Sequence, residues 1–369
     1  MKFLHTGDLH IGKTVNEFSM IEEQRHVLKQ IIEIAADEKA DAVVIAGDVY
    51  DRPIPPTEAV ELLDDFLTTL LEKKIPVIVI SGNHDSGERV AFADKILEKQ
   101  GLYIAGSYDG ALKRVVLTDE WGEVDFVCMP FVKPAVETVE NMLAATPMTM
   151  DLLSRHVLVT HYFVTGENGD IPQLSDSESR VSVGGLDNVE AGWFAAFDYV
   201  ALGHIHKRQK IGEREVWYAG SPVKYSFSEA NQIKSVNMVT MGRKGDITVE
   251  ARELKPIHDM RIIKGELEKL ISPAVVAEAD CEDYIKAILT NEEELIDPIG
   301  TLRSVYPNTM QIEIAKNAPM KEGEYLPAGV ETKKTTGELF ADFYELLKGE
   351  GLDEKRKQVV AEIEKELQE

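Results

Sequence analysis

Five segments of this chain end an apolar run in a sudden cluster of Asp, Asn and His: FLHTGDLH, VVIAGDVYD, VIVISGNHD, VLVTHY and YVALGHIH. They supply Asp8, His10, Asp48, Asn83, His84, His161, His204 and His206. Carboxylate, amide and imidazole donors without a thiolate suit Mn²⁺, Fe²⁺ or Zn²⁺ better than an all-oxygen calcium or magnesium cage. So large a donor set exceeds what one tetrahedral ion takes and fits two, provided that one carboxylate bridges. Two ions about 3.5–4 Å apart clamp both the attacking and the leaving oxygen of a phosphoryl displacement. Each cluster alone has a plainer explanation, since a Gly-Asp is usually a turn and a strand-end His usually a hydrogen-bonded structural residue. Their recurrence at equivalent places reverses that reading.

Short, continuous, β-branched apolar runs are strands buried on both faces. Between the early runs lie amphipathic helices. In IEEQRHVLKQIIEIA, Ile21, Val27, Leu28, Ile31, Ile32 and Ala35 gather on one face. In TEAVELLDDFLTTLLEKK, Leu62, Leu63, Phe66, Leu67, Leu70 and Leu71 do the same, behind the helix start Pro55-Pro56-Thr57. Strands alternating with helices imply βαβ units, and in such sheets the C-terminal strand ends converge on one ligand-binding crevice. Gly47, Gly82 and Gly203 stand just before ligand clusters, where the backbone must turn sharply.

From about residue 112 the pattern changes to hairpins. VVLTDEWGEVDFVCMPF turns at Trp121-Gly122, EVWYAGSPV follows, and VNMVTMGRKGDITVEAREL turns at Gly242–Gly245. The expected architecture is an α/β sandwich of two sheets, with these hairpins making the second sheet mixed and partly antiparallel. It occupies residues 1–256 and is followed by a small α+β domain at 257–316, reading strand, helix, strand, helix, strand. Residues 317–335 are Pro-, Gly- and Lys-rich and read as a linker. Residues 336–369 return to helix, with apolar faces Leu339, Phe340, Phe343, Leu346 and Leu347, then Val359, Val360, Ile363 and Leu367. Such short helices bury little alone and are expected to await a partner groove.

The formal net charge of −25 argues against broad affinity for a nucleic-acid backbone. A DNA substrate would therefore require metal ions, a local basic patch or a partner. Lys13, Arg52 and Arg89 lie within a few positions of ligand clusters and are candidates for gripping phosphates; Tyr162 and Tyr225 either stack on bases or pack in the core. His5, His26, His156 and His258 lack ligand-rich neighbours and read as structural. The two cysteines, Cys128 and Cys281, suggest neither a disulfide framework nor a zinc cluster, which fits a reducing, cytoplasmic setting. Neither a signal peptide nor a membrane-spanning run is expected.

D-x-H, G-D-x-x-D, G-N-H-D, a lone His and G-H-x-H, in this order, resemble the calcineurin-like metallophosphoesterase superfamily. More narrowly, GDLHIGK, GDVYDRP, SGNHDS, THYFVTG, VGGLDNV, LGHIHKRQ and YAGSPVKYSFSE together are similar to its SbcD family of nuclease subunits. The resemblance covers essentially the whole chain. It implies an αββα sandwich with a small DNA-binding cap and a C-terminal helical tail. It implies one metal held by Asp8, His10, Asp48 and His206 and another by Asp48, Asn83, His161 and His204, with Mn²⁺ foremost. His84 becomes a general acid that assists the leaving oxygen, its ring held by Asp51; Asp85 is the alternative for that task, or shapes the turn.

The activity so implied is an ATP-stimulated 3′→5′ double-strand exonuclease and single-strand endonuclease. It would act on DNA ends and hairpins in repair and recombination, close to the nucleoid. An SbcC-type coiled-coil ATPase would dock on the C-terminal helices, and the nuclease would form a homodimer. The alternatives are a relative that hydrolyses small phosphomonoesters or cyclic nucleotides, for which the extra domain and tail are unneeded, and a non-catalytic scaffold, which intact ligands make implausible.

Overall fold

A computed structural model describes residues 1–133, 135–146, 154–178, 188–293, 295–315 and 356–357. The chain begins with β1 (Lys2–Thr6), the small hairpin β2 (Thr14–Val15) and β3 (Phe18–Ser19), α1 (Ile21–Asp37), β4 (Ala42–Ala46), α2 (Thr57–Glu72) and β5 (Val77–Ile80). Two short helices, α3 (Gly87–Val90) and α4 (Asp94–Leu97), lead to β6 (Leu102–Ala105). Next come β7 (Lys113–Asp119), β8 (Gly122–Met129), α5 (Ala135–Ala145), β9 (Arg155–Thr160), β10 (Phe163–Thr165) and β11 (Asn188–Glu190). Then follow β12 (Tyr199–Leu202), β13 (Gln209–Lys210), β14 (Val216–Tyr218), β15 (Ser235–Met241) and β16 (Ile247–Glu253). The last described elements are β17 (Met260–Gly265), α6 (Leu267–Leu270), α7 (Pro273–Val276), β18 (Tyr284–Leu289), α8 (Pro298–Arg303) and β19 (Thr309–Ile314).

Two six-stranded sheets, β16-β15-β1-β4-β5-β6 and β13-β14-β12-β9-β8-β7, stack face to face. Period-2 alternation decides what lies between them. Phe3, Val44, Ala46 and Ile78 point inward and meet Phe126, Val157, Val159, Tyr199 and Ala201 of the opposite sheet. The alternate residues Leu4, Val43, Ile45 and Val77 point outward, under Val27, Leu28 and Ile31 of α1 and Leu62 and Phe66 of α2. His5 is buried in the interlayer, where its Nδ1 lies 2.9 Å from the Tyr199 hydroxyl; burial presses its pKa down to about 3. It is structural, as expected.

One hairpin differs from expectation. β15–β16 joins the first sheet, not the second, with β15 pairing antiparallel to β1 through Leu4↔Met238. Left bare, β1 would expose a row of unpaired backbone groups beside an apolar core, and the hairpin closes that edge. The second sheet is nonetheless mixed: β8, β9, β12 and β14 run parallel, while β7 and β13 are antiparallel.

β17, β18 and β19 form a separate three-stranded sheet in which all pairs are parallel, the helices between them supplying the crossovers. Its own core gathers Leu267, Leu270, Ile285, Leu289, Leu302 and Tyr306. Met260, Tyr284 and Met310 join the apolar cluster beneath α1, so this small sheet packs directly against the sandwich. Met1–Lys316 accordingly form one compact unit, and Asn317–Glu369 a second. The expected linker at 317–335 lies outside the described residues, as does the 336–369 tail apart from Arg356 and Lys357, which are helical. Among the described residues no helix is long and apolar enough to cross a membrane.

Candidate metal centre

The polar clusters follow the C-terminal ends of β1, β4, β5, β9 and β12, which are parallel strands within their own sheets. Three overlapping groups of donor atoms result: Asp8, His10 and His206; His10, Asp48 and His84; Asp8, Asp48 and His161, the atoms of each group lying within 4.8 Å of one another. Asn83 and His204 join through their own contacts. Asn83 Oδ1 is 3.1 Å from His161 Nε2 and 2.9 Å from His204 Nδ1.

The backbone at this centre is unusual. Asp8 (φ 52°), His10 (φ 43°), Asp48 (φ 49°) and His204 (φ 96°) all occupy left-handed conformations. Asp, Asn and His tolerate that region better than other side chains, and outliers of this kind concentrate at functional sites. The preceding glycines matter for space as much as for rotation. A Cβ on Gly82 would fall 2.1 Å from Asp48 Oδ1, and one on Gly47 (φ +86°) 2.4 Å from His161 Nδ1.

The arrangement calls for cations. His161 Nδ1 donates to the Ala46 carbonyl at 2.7 Å, which leaves Nε2 with its lone pair facing Asn83 Oδ1 and, at 3.3 Å, Asp48 Oδ2. Ser177 Oγ donates to Glu229 Oε1 at 2.5 Å, so it accepts from His206 Nδ1 at 2.8 Å. His206 Nε2 then confronts His10 Nε2 at 3.1 Å. Among the described residues, Asp8 Oδ2 and His10 Nδ1 are buried without a hydrogen-bond partner. Lone pairs converging at these distances repel unless a proton or a metal ion stands among them.

The proton affinities express the same demand. Burial drives Asp8 up to about 6. Burial also opposes the Asp48 charge, but His161, His10 and His84 overcome it and hold that carboxylate well below its usual range. For His161, burial works against protonation, yet Asp48 and Asp8 prevail and raise it to about 9. Desolvation lowers His10 and brings His204 to about 3. The donors therefore fit divalent metal ions.

Around the donors stands a layer of supports that sequence reasoning missed. His206 N donates to Glu178 Oε1 at 2.5 Å, and its carbonyl accepts from Lys234 Nζ at 2.9 Å. Lys234 pairs with Glu229 at 2.6 Å, and both are buried. Gln24 of α1 donates to the His10 carbonyl at 2.7 Å and accepts from Gly12 N at 2.9 Å, clasping the loop that carries the candidate donors Asp8 and His10. A lone Gln within the apolar stripe of α1 was the available signal. Burial opposes the Glu229 charge, but His206 and Lys234 hold it down to about 2. Its contribution to stability is thus present above its ordinary value of 4.5 and is lost as pH falls toward 2. Glu229→Gln leaves the Lys234 ammonium buried without its counter-charge, and the expected cost is about 3 kcal/mol in urea denaturation at neutral pH. An unchanged midpoint would show that the pair carries no net stability.

His84 stands at the edge of the centre. Its backbone N–H donates to Asp48 Oδ1 at 2.9 Å, and its ring Nδ1 lies 3.0 Å from the main-chain carbonyl of Asp51. The expected Asp51 carboxylate does not hold the ring, because it pairs with Lys13 Nζ at 2.6 Å. Asp85 instead ties two loops together, accepting from Val49, Tyr50 and Gly82 amides at 2.8–3.0 Å. Lys13 is thereby already engaged, whereas Arg52 and Arg89 are exposed, Arg52 lying 3.6 Å from Asp51. Tyr162 and Tyr225 are both buried with bonded hydroxyls, which settles them as core residues.

The calcineurin-like phosphoesterase family model matches residues 1–208, more than half of the chain. A second model, SbcD_C, described as the type 5 capsule protein repressor C-terminal domain, matches residues 256–347. Similar solved structures include TT1561 of Thermus thermophilus, at 13% identity over 68% of this chain and 98% of that one, with a TM-score of 0.39. Another is a dimetal phosphatase from Danio rerio, at 11% identity over 68% and 98%, with a TM-score of 0.37. Taken with the donor cluster at the strand ends, the match over residues 1–208 makes this chain a member of the calcineurin-like phosphoesterases, metal-dependent hydrolases, and the second match makes it an SbcD-like one.

Proposed function

We propose that this chain is a two-metal DNA nuclease that processes DNA ends and hairpins together with an SbcC-type ATPase in repair and recombination. The observation that carries the reading is the coupling of the phosphoesterase centre to an SbcD-type C-terminal region over residues 256–347, an addition that a small ester would not need. Asp8, His10, Asp48 and His206 would hold one ion, and Asp48, Asn83, His161 and His204 would hold the other, with Asp48 common to both sets. Mn²⁺ suits this mixture of oxygen and nitrogen donors, with Fe²⁺ or Zn²⁺ as the alternatives.

When bound, two such ions activate a water and neutralise the phosphodiester charge. The protein supplies the remainder. Asp48 fixes the main chain of His84 through Oδ1, and the Asp51 carbonyl fixes the ring through Nδ1, leaving Nε2 for proton transfer to the departing oxygen. Glu178 and Ser177 hold His206 in register. Arg52 and Arg89 are exposed and available to DNA phosphates. The polarity, 3′→5′ on duplex ends with single-strand endonuclease activity stimulated by ATP, follows the SbcD family. So do the homodimer, the docking of the ATPase on residues 336–369 and a place near the nucleoid.

Purified protein with Mn²⁺, assayed with and without the ATPase, should cleave linear duplex and hairpin DNA. Hydrolysis of a generic phosphodiester with no DNA cleavage under any condition would return the chain to the small-ester hydrolases.

A further inference from the structure

Beside the metal centre lies a cavity of about 520 Å³, of the size that takes a nucleotide-scale ligand. His206 forms part of its wall, along with Lys207, Arg208, Ser221, Gln232 and Lys234. No described lining residue is Asp or Glu, although the chain as a whole carries a formal charge of −25.

Arg208 is the informative residue. Its Nε donates to Asn237 Oδ1 at 2.6 Å, and its guanidinium lies over the Trp217 ring with 4.6 Å to the centroid. These contacts fix the plane of the guanidinium while leaving its two terminal NH₂ groups without a partner among the described residues. No described carboxylate pairs with it. A half-buried cation held rigidly and left uncompensated is built for an anion, since a planar fork of N–H donors matches phosphate oxygens. Among the described residues the Lys207 ammonium bonds the Gln173 amide and no carboxylate, so it too brings an uncompensated charge. Lys234 differs, because Glu229 neutralises it. At the mouth, Ile233 is 70% exposed and offers apolar surface to a sugar or base.

We propose that this cavity is a subsite in which Arg208 and Lys207 hold a backbone phosphate of the DNA strand flanking the phosphodiester to be cut. The assignment rests on DNA being the substrate. It explains how so acidic a chain grips a polyanion, through a basic cavity that abuts the metal ligands. A free nucleoside monophosphate offers the same phosphate chemistry, and the test separates the two.

Binding is measured on the full chain treated with EDTA, so that nothing is cleaved, using Trp217 fluorescence and a single-stranded oligonucleotide, with Trp217→Phe to assign the signal. Arg208→Ala should weaken binding about tenfold and lower the salt slope by about one. Arg208→Lys should recover part of the affinity. With Mn²⁺ restored, Arg208→Ala should raise KM for the oligonucleotide, leaving kcat and the hydrolysis of a small chromogenic diester at wild-type levels. Equal oligonucleotide affinity of wild type and Arg208→Ala overturns the subsite. A parallel loss of small-diester hydrolysis also overturns it, by showing that Arg208 acts only through the neighbouring His206. If a nucleoside monophosphate binds as tightly as the oligonucleotide, the cavity is a nucleotide site and the strand assignment falls. If wild type binds the oligonucleotide with the predicted Arg208 dependence but never cleaves it, the nuclease reading fails and the assignment to a strand being cut falls with it, leaving Arg208 as an oligonucleotide contact alone.

Discussion

His84→Ala will lower kcat for phosphodiester cleavage by about 10²–10⁴-fold, the range that a positioned acid contributes, with bound metal unchanged. The geometry makes this a sharp test. His84 is the one imidazole of the centre whose Nδ1 is turned to the Asp51 carbonyl and whose main chain hangs on Asp48. Its ring packs edge-on against His10 at 4.7 Å between centroids, close enough to group it with His10 and Asp48 as a donor set. A ligand and an acid at this position differ in one measurable respect. Loss of an acid slows the chemistry at constant metal stoichiometry, whereas loss of a ligand depletes metal in step with rate. Elemental analysis beside steady-state kinetics decides between them, and metal loss proportional to activity would remove His84 from the role of acid.

Asp48→Ala should be the most damaging single change, lowering activity about 10³-fold or more and reducing bound metal to less than one ion per chain. Asp48 belongs to two of the three donor groups, faces His10 at 3.6 Å and His161 at 3.3 Å, and anchors the His84 backbone. Asp48→Asn separates these roles, because the amide oxygen preserves the bond to His84 N while the charge is lost. If charge dominates, Asn behaves as Ala; if placement of His84 dominates, Asn retains much of the rate. Full metal occupancy in both variants would show that Asp48 does not bridge.

The convergent donors were legible because each one follows an apolar run, and a carboxylate or imidazole there stands out against Val and Ile. The sandwich was legible for the same reason, since a strand buried on both faces writes its burial into consecutive residues. What surrounds the ligands was not. Glu178, Ser177 and Glu229 lie in irregular polar segments where composition carries no period, and they reach His206 only through the fold. The Asp51 contact was hidden for a different reason. A side chain announces itself in sequence, but the His84 ring is held by a main-chain carbonyl, which every residue possesses. The hairpin β15–β16 was assigned to the wrong sheet because its pattern specifies a hairpin and not which edge it will close.

The left-handed backbone at Asp8, His10, Asp48 and His204 bears on how this family of sites can change over time. Each such residue holds about 1–3 kcal/mol of conformational strain that the surrounding fold must absorb. Glycine at the same position would release that strain, so the centre is maintained against the local preference of the chain. A copy freed from the need for catalysis would therefore be expected to drift toward glycine or asparagine at these positions first, becoming a sturdier protein as it becomes an inert one.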